Sequence, residues 1–133
     1  MGGDKAMTRQ VIAGIGCRRD CPAWTIVAVL DRACNEACCQ ATTLAAPAFK
    51  ADEPGLQLAA RQLGLTLILI EAKALAVAQA RCATRSGRAF LATGYGSVAE
   101  GCALAAAGAG GRLILPRIAG GGVTCALAET AAS

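Results

Sequence analysis

Short apolar runs alternate with segments of helical periodicity along this 133-residue chain, and nothing else in it limits the fold as strongly. Residues 8–15 read as a buried strand, with the β-branched Val11, Ile12 and Ile15, closed by Gly14-Ile15-Gly16. Pro22 suits the first turn of a helix, with Asp20 or Cys21 as cap. Ile26, Val27, Leu30, Cys34 and Cys38 then recur at three- and four-residue spacing and predict a helix over 22–40. A short strand over 44–49 follows. Pro54 opens a second helix on Leu56, Leu58, Ala59 and Leu63, and Gly64 ends it. The wholly apolar run 65–70, bounded by Gly64 and Glu71, predicts a central strand. Residues 72–82 read as helix, 83–95 are ambiguous, and 97–107 are helical with Gly108 past the end. Strands over 113–116 and 123–127 flank the turn Gly120-Gly121-Gly122 as a hairpin.

The resulting order is β-α-β-α-β-α-α-β-β. Such alternation predicts an α/β fold: a single three-layer α/β/α domain whose mixed sheet is mostly parallel and ends in an antiparallel hairpin. Residues 1–7 read as a disordered tail and 8–130 as the domain, with no internal repeat or linker. A chain of this size buries roughly two thirds of its unfolded surface, so neither disulfides nor a metal are required to hold it together.

Composition narrows the function classes. The chain is 55% hydrophobic and 17% charged, outside the range of disordered chains. Thirty-two alanines raise the mean hydropathy, yet no run of about 18 strongly apolar residues exists, so no membrane span is expected. The net charge of +4 is spread along the chain, and Arg18-Arg19 is its longest basic run. With one Trp, one Tyr and two Phe, the chain cannot build a stacking platform for nucleic acid. A small polyanionic ligand fits that charge pattern. Eight cysteines without a CxxC pair, in a chain with no histidine and no secretory leader, read as reduced thiols of a cytoplasmic protein acting as small apolar residues. No metal site and no cofactor are expected.

Four segments carry candidate chemistry. Gly14-Ile15-Gly16-Cys17-Arg18 joins a strand to a helix, at the carboxyl end of a strand where open α/β sheets bind ligands. Gly14 and Gly16 would let a ligand approach the backbone, and Arg18 and Arg19 offer forked donors to carboxylates or phosphates. The bland alternative is a tight turn with solvated arginines. The dinucleotide pattern GxGxxG fails at Arg19, and no P-loop pattern occurs. Cys17 has no histidine to serve as its base, so it reads as a lining thiol rather than a nucleophile. In Lys50-Ala51-Asp52-Glu53-Pro54-Gly55, Asp52 or Glu53 suits the positive end of a helix as cap, whereas Lys50 has no structural account. Around Gly96, Ser97 and Glu100 have capping-box spacing, and the free N–H groups of that turn could hold an anion. Arg117 and Thr124 would line the same rim. The candidate ligand-binding set is therefore Gly14, Gly16, Cys17, Arg18, Lys50, Gly55, Gly96, Ser97, Arg117 and Thr124. Asp52, Glu53 and Glu100 are the candidates for general acid–base work.

Taken in order and spacing, Gly14–Arg18, Lys50–Leu56, Thr93–Leu104 and Val123–Ala128 resemble the CobE family, which is similar to the C-terminal domain of CbiG. The resemblance runs from about residue 9 to 129. Arg117 stands where many CbiG-like chains have lysine, and Ala51 replaces a second lysine. The resemblance implies a three-layer α/β/α domain in cobalamin (vitamin B12) biosynthesis, working on corrin-ring, precorrin-type tetrapyrroles alongside other enzymes of that route. Precorrins are flat and rich in carboxylates, which Arg18, Lys50 and Arg117 would pair while small apolar residues meet the ring. The leading expectation is a carrier or accessory protein for such an intermediate. The alternatives are a hydrolase that opens a precorrin lactone with acetaldehyde release, as the larger CbiG-like proteins do, and a structural partner subunit. The sequence is compatible with a homo-oligomer.

Overall fold

Side chains alternate across a strand, and in this chain the alternation sorts the core into two layers. The computed structural model describes residues 10–82 and 97–131. Strand β1 (Val11–Cys17) sends Ala13 and Ile15 to one face and Ile12 to the other. β2 (Thr43–Pro47) divides Leu44 and Ala46 from Ala45 in the same way. The first face is covered by α1 (Ala23–Ala37), through Ile26, Val29, Leu30 and Ala33, and by α2 (Pro54–Leu63), through Leu56, Ala59 and Ala60. The second face is covered by α3 (Ala72–Ala78), through Leu75 and Ala78, and by α4 (Val98–Ala107), through Cys102, Ala103, Leu104 and Ala107. This is the three-layer α/β/α domain that the alternation predicts.

The sheet adds β3 (Thr66–Ile70), β4 (Arg112–Gly120) and β5 (Val123–Glu129), in the order β3-β2-β1-β5-β4. β1–β2 and β2–β3 are parallel, while β5 runs antiparallel to both β1 and β4. Four of the five strands among the described residues therefore point the same way, and β5 is the reversed member, inserted between β1 and β4.

The small residues of α4 have a packing reason. Seven of its ten residues are buried, because the helix lies between the sheet and α3. A Cβ on Gly14 would stand 2.0 Å from the Ala99 carbonyl oxygen, and one on Gly101 would stand 2.5 Å from Leu75 Cδ1. Small residues on both sides let the layers approach this closely.

Several expectations need correction. Among the described residues the strand in the run 65–70 lies at the edge of the sheet rather than in its centre, and Ile68 and Leu69 are exposed there. Its apolarity reports side chains rather than strand neighbours. α1 stops at Ala37 rather than 40, because Cys38 turns left-handed (φ 55°) and the N–H groups of Cys38 and Cys39 return to the carbonyls of Asn35 and Cys34. Pro22 precedes the helix as N-cap instead of opening it. β1 continues to Cys17, and β4 is longer than the four residues expected of it. The expected tail at 1–7, the ambiguous stretch 83–95 and Gly96 lie outside the described residues. Among the described residues no helix is long and apolar enough to cross a membrane.

Candidate functional site

The carboxyl ends of β1, β2 and β4 meet the N-terminus of α4 around a cavity of about 180 Å³. Three segments far apart in sequence bring a cation to it: Arg18 after β1, Lys50 after β2 and Arg117 within β4. Gly16, Cys17 and Thr124 line it as well. Six of the ten candidate ligand residues thus share one cavity.

Local structure places each cation. The N–H of Arg18 donates to the Gly122 carbonyl at 3.2 Å. Its side-chain stem lies over that glycine, where a Cβ would come within 2.9 Å of Arg18 Cδ. Lys50 closes a single 3₁₀ turn, Ala48–Lys50, and its carbonyl accepts the Glu53 N–H at 3.1 Å. Arg117 sits where β4 slips its register against β5, between Leu115 and Ile118. Its backbone N–H donates to Glu100 Oε2 at 2.9 Å. Thr124 pairs with Gly16 across the strands and donates its hydroxyl to the Gly16 carbonyl at 3.4 Å.

The remaining candidates do other work. Gly14 is buried beneath α4, and Gly55 lets α2 begin against the Cys21 carbonyl, 2.0 Å from where a Cβ would be. Both are packing glycines. Ser97 is fully buried: its hydroxyl accepts the Glu100 N–H at 3.3 Å, and Gln79 grips its backbone N–H and carbonyl, each at 3.1 Å. It caps α4 and is not among the residues that line the cavity.

The three acids do not line the cavity. Asp52 is exposed. Glu53 occupies the N-cap position of α2, but its carboxylate accepts the Asp20 N–H at 2.9 Å instead of capping. Glu100 is fully buried and braces the backbone beneath Arg117. Burial pushes the Cys17 thiol up to about 11, against the opposing pull of Lys50, so it stays protonated at neutral pH and is no ready nucleophile.

Pro47, Phe49, Val98 and Gly122 also line the cavity and were not expected from the sequence. Phe49 is 57% exposed and stands beside Lys50 on the rim. An aromatic next to an unexplained lysine at a strand's carboxyl end was the available signal. Larger depressions exist elsewhere, one of about 520 Å³ beside Trp24 and Leu58 and an apolar one of about 600 Å³ between α3 and α4. Of the candidate residues they include Gly55 alone.

Comparison with known proteins points one way. Residues 11–128 match the family described as "Cobalamin synthesis G C-terminus". The curated "Protein CobE" from Sinorhizobium sp is 33% identical over 124 residues, covering 91% of this chain and 80% of that protein. A solved structure of CobE, described as "a protein from the cobalamin (vitamin B12) biosynthetic pathway", superposes with a TM-score of 0.86 at 33% identity, covering 94% of this chain and 93% of the other. The cobalamin biosynthesis protein chiG from Agrobacterium tumefaciens str. C58 does so at 0.74 and 35% identity, covering 90% and 98%.

Proposed function

Because the chain belongs to the family of the cobalamin synthesis G C-terminus, we propose that it binds a corrin-ring intermediate of cobalamin biosynthesis by its carboxylates. On this reading it acts as a carrier or accessory protein that hands the intermediate between pathway enzymes. The observation that carries the reading is the convergence of Arg18, Lys50 and Arg117 on one cavity. Three cations, with no acid among the described lining residues, suit a polycarboxylate.

The volume decides how such a ligand would sit. Pockets that enclose a small molecule measure roughly 300–1,000 Å³. At about 180 Å³ this cavity takes one peripheral carboxylate arm, and the ring stays outside against exposed Phe49. Asp52, Glu53 and Glu100 all stand off the lining, which favours binding over lactone hydrolysis.

The test is a titration with a metal-free corrinoid acid such as hydrogenobyrinic acid, followed by its visible bands and by co-elution in gel filtration. A carrier shifts the spectrum once and leaves the pigment unchanged. A spectrum that keeps changing at substoichiometric protein would replace the carrier with a catalyst. Arg18→Ala should weaken binding by about fivefold, the worth of about 1 kcal/mol for an exposed ion pair. Arg61→Ala, on the exposed side of α2, should leave it unchanged. Equal affinities for the two variants would sink the rim assignment.

A further inference from the structure

Three cysteines gather at the end of α1: Cys34 in its last turn, and Cys38 and Cys39 just past it. Two bonds close the helix there. The N–H of the left-handed Cys38 donates to the Asn35 carbonyl at 3.3 Å, and the Cys39 N–H reaches back to the Cys34 carbonyl at 3.1 Å. In a cap of this kind, the residues joined by the longer-range bond are the ones whose side chains pack on each other. Here both are cysteine.

The surroundings single out the same pair. Cys34 and Cys39 line one cavity of about 300 Å³, beside Asp31, Asn35 and Gln40, which gives a small dissolved reagent a way in. Both are half-buried, whereas Cys21, Cys82, Cys102 and Cys125 are buried. Burial raises the Cys39 thiol, and the Cys34 and Cys38 thiols beside it raise it further. The Cys38 thiol is turned back along the helix, where it donates to the Asn35 carbonyl at 3.8 Å.

We infer that Cys34 and Cys39 form a reversible oxidation site, joined as a disulfide by exchange with a small disulfide such as oxidised glutathione. One thiolate of the pair attacks a sulfur of the reagent, whose S–S bond breaks as the first glutathione leaves. The other thiolate attacks the mixed disulfide, the Cys34–Cys39 bond forms, and the second glutathione leaves. Two protein thiols are oxidised, one disulfide is reduced to two thiols, and those thiols take up the two protons. Both residues belong to one helix cap, so closure asks no second element to move. The bridge ties the end of α1 to the connection into β2, at the amino end of that strand. The rim of Arg18, Lys50 and Arg117 lies at the opposite end of the sheet, so oxidation and ligand binding are tested separately.

The full chain, reduced and folded, is incubated with oxidised glutathione, its remaining thiols are alkylated, and it is cut with trypsin and a glutamate-specific protease. Glu36 lies between the two cysteines, so a bridge leaves residues 33–36 linked to residues 37–50 in the mass spectrum. The linked pair should appear with the loss of two of the eight thiols, and dithiothreitol should restore both. It should persist in Cys38→Ser and be lost in Cys39→Ser. Fragmentation of the linked pair from the unaltered chain tells Cys39 from Cys38, which keeps the test decisive if a variant folds poorly. No linked pair in the folded chain, a link to Cys38 in preference to Cys39, loss of the link in folded Cys38→Ser, or a bridge from Cys34 to Cys125 would each overturn the inference.

Discussion

Gly14→Ala isolates the contact between β1 and α4. A methyl group there would lie 2.0 Å from the Ala99 carbonyl oxygen, 2.6 Å from the Ala103 nitrogen and 2.9 Å from Ala103 Cβ. Two of the three obstacles are helix backbone and cannot swing aside. Real contacts of this kind stay above 3.0 Å, so α4 must retreat by about 1 Å. Its far side is pinned by α3, where Gly101 already meets Leu75. Overpacking of this sort costs about 1–3 kcal/mol, and backbone obstruction on both sides puts Gly14→Ala at about 3 kcal/mol. That is a large share of the roughly 5–15 kcal/mol that holds a domain together, equivalent to about 10 °C in Tm. Urea denaturation followed by far-UV circular dichroism should show a lower midpoint at unchanged slope. Gly64→Ala is the comparison: its φ is +68° and nothing stands within 4 Å, so only the left-handed backbone penalty of about 1 kcal/mol applies. A Gly14→Ala midpoint equal to that of the unaltered chain, or above that of Gly64→Ala, would refute the close seating of α4.

Two further outcomes follow from buried groups. Glu100→Ala removes the acceptor beneath Arg117 and leaves a void, and should destabilise the chain by about 2 kcal/mol or more. Glu100→Gln keeps an acceptor oxygen and should lose less; the reverse order in urea midpoints would show that Glu100 does not brace Arg117. The thiols set an alkaline limit. Burial raises Cys17 from 9.0 to about 11 and Cys125 to about 12, so the unfolded chain releases these protons before the folded one does. Their contribution to stability is full below pH 9 and is lost as pH rises from there through the folded values. Urea midpoints should therefore fall above pH 9, less steeply in Cys125→Ala, and a midpoint unmoved there would contradict the burial of both thiols.

The sequence made visible what local physics decides. Pro54 and Gly64 bound α2 because the first helical position does not need an N–H and a left-handed cap does not need a Cβ. Ser97 reads as a cap from three-residue spacing to Glu100, and its hydroxyl does cap. Arg18 and Lys50 were legible because they follow predicted strands, where charge gathers, whereas Arg117 lies within β4 at a register slip that the sequence does not show. What was not legible is set by partners distant in sequence. Gly14 and Gly16 look alike in the chain, and only the seating of α4 makes one a packing glycine and the other part of the cavity lining. Glu100 turns inward because β4 slips register over α4 and exposes an N–H to it. The edge position of β3 follows from β5 inserting beside β1, a choice made some 55 residues further along the chain.

That insertion also settles where the ends of the domain lie. Val11 and Glu129 are paired residues, and just beyond them the N–H of Thr130 donates to the Gln10 carbonyl at 2.9 Å while the Gln10 N–H donates to Thr130 Oγ1 at 3.0 Å. Entry and exit are thus one doorway, at the end of the sheet opposite the cavity. A domain threaded this way can be carried as a loop of some larger chain at little entropic expense, since its own strands already hold the loop closed. Any such host would join at that end of the sheet, on the side away from the carboxyl-end rim.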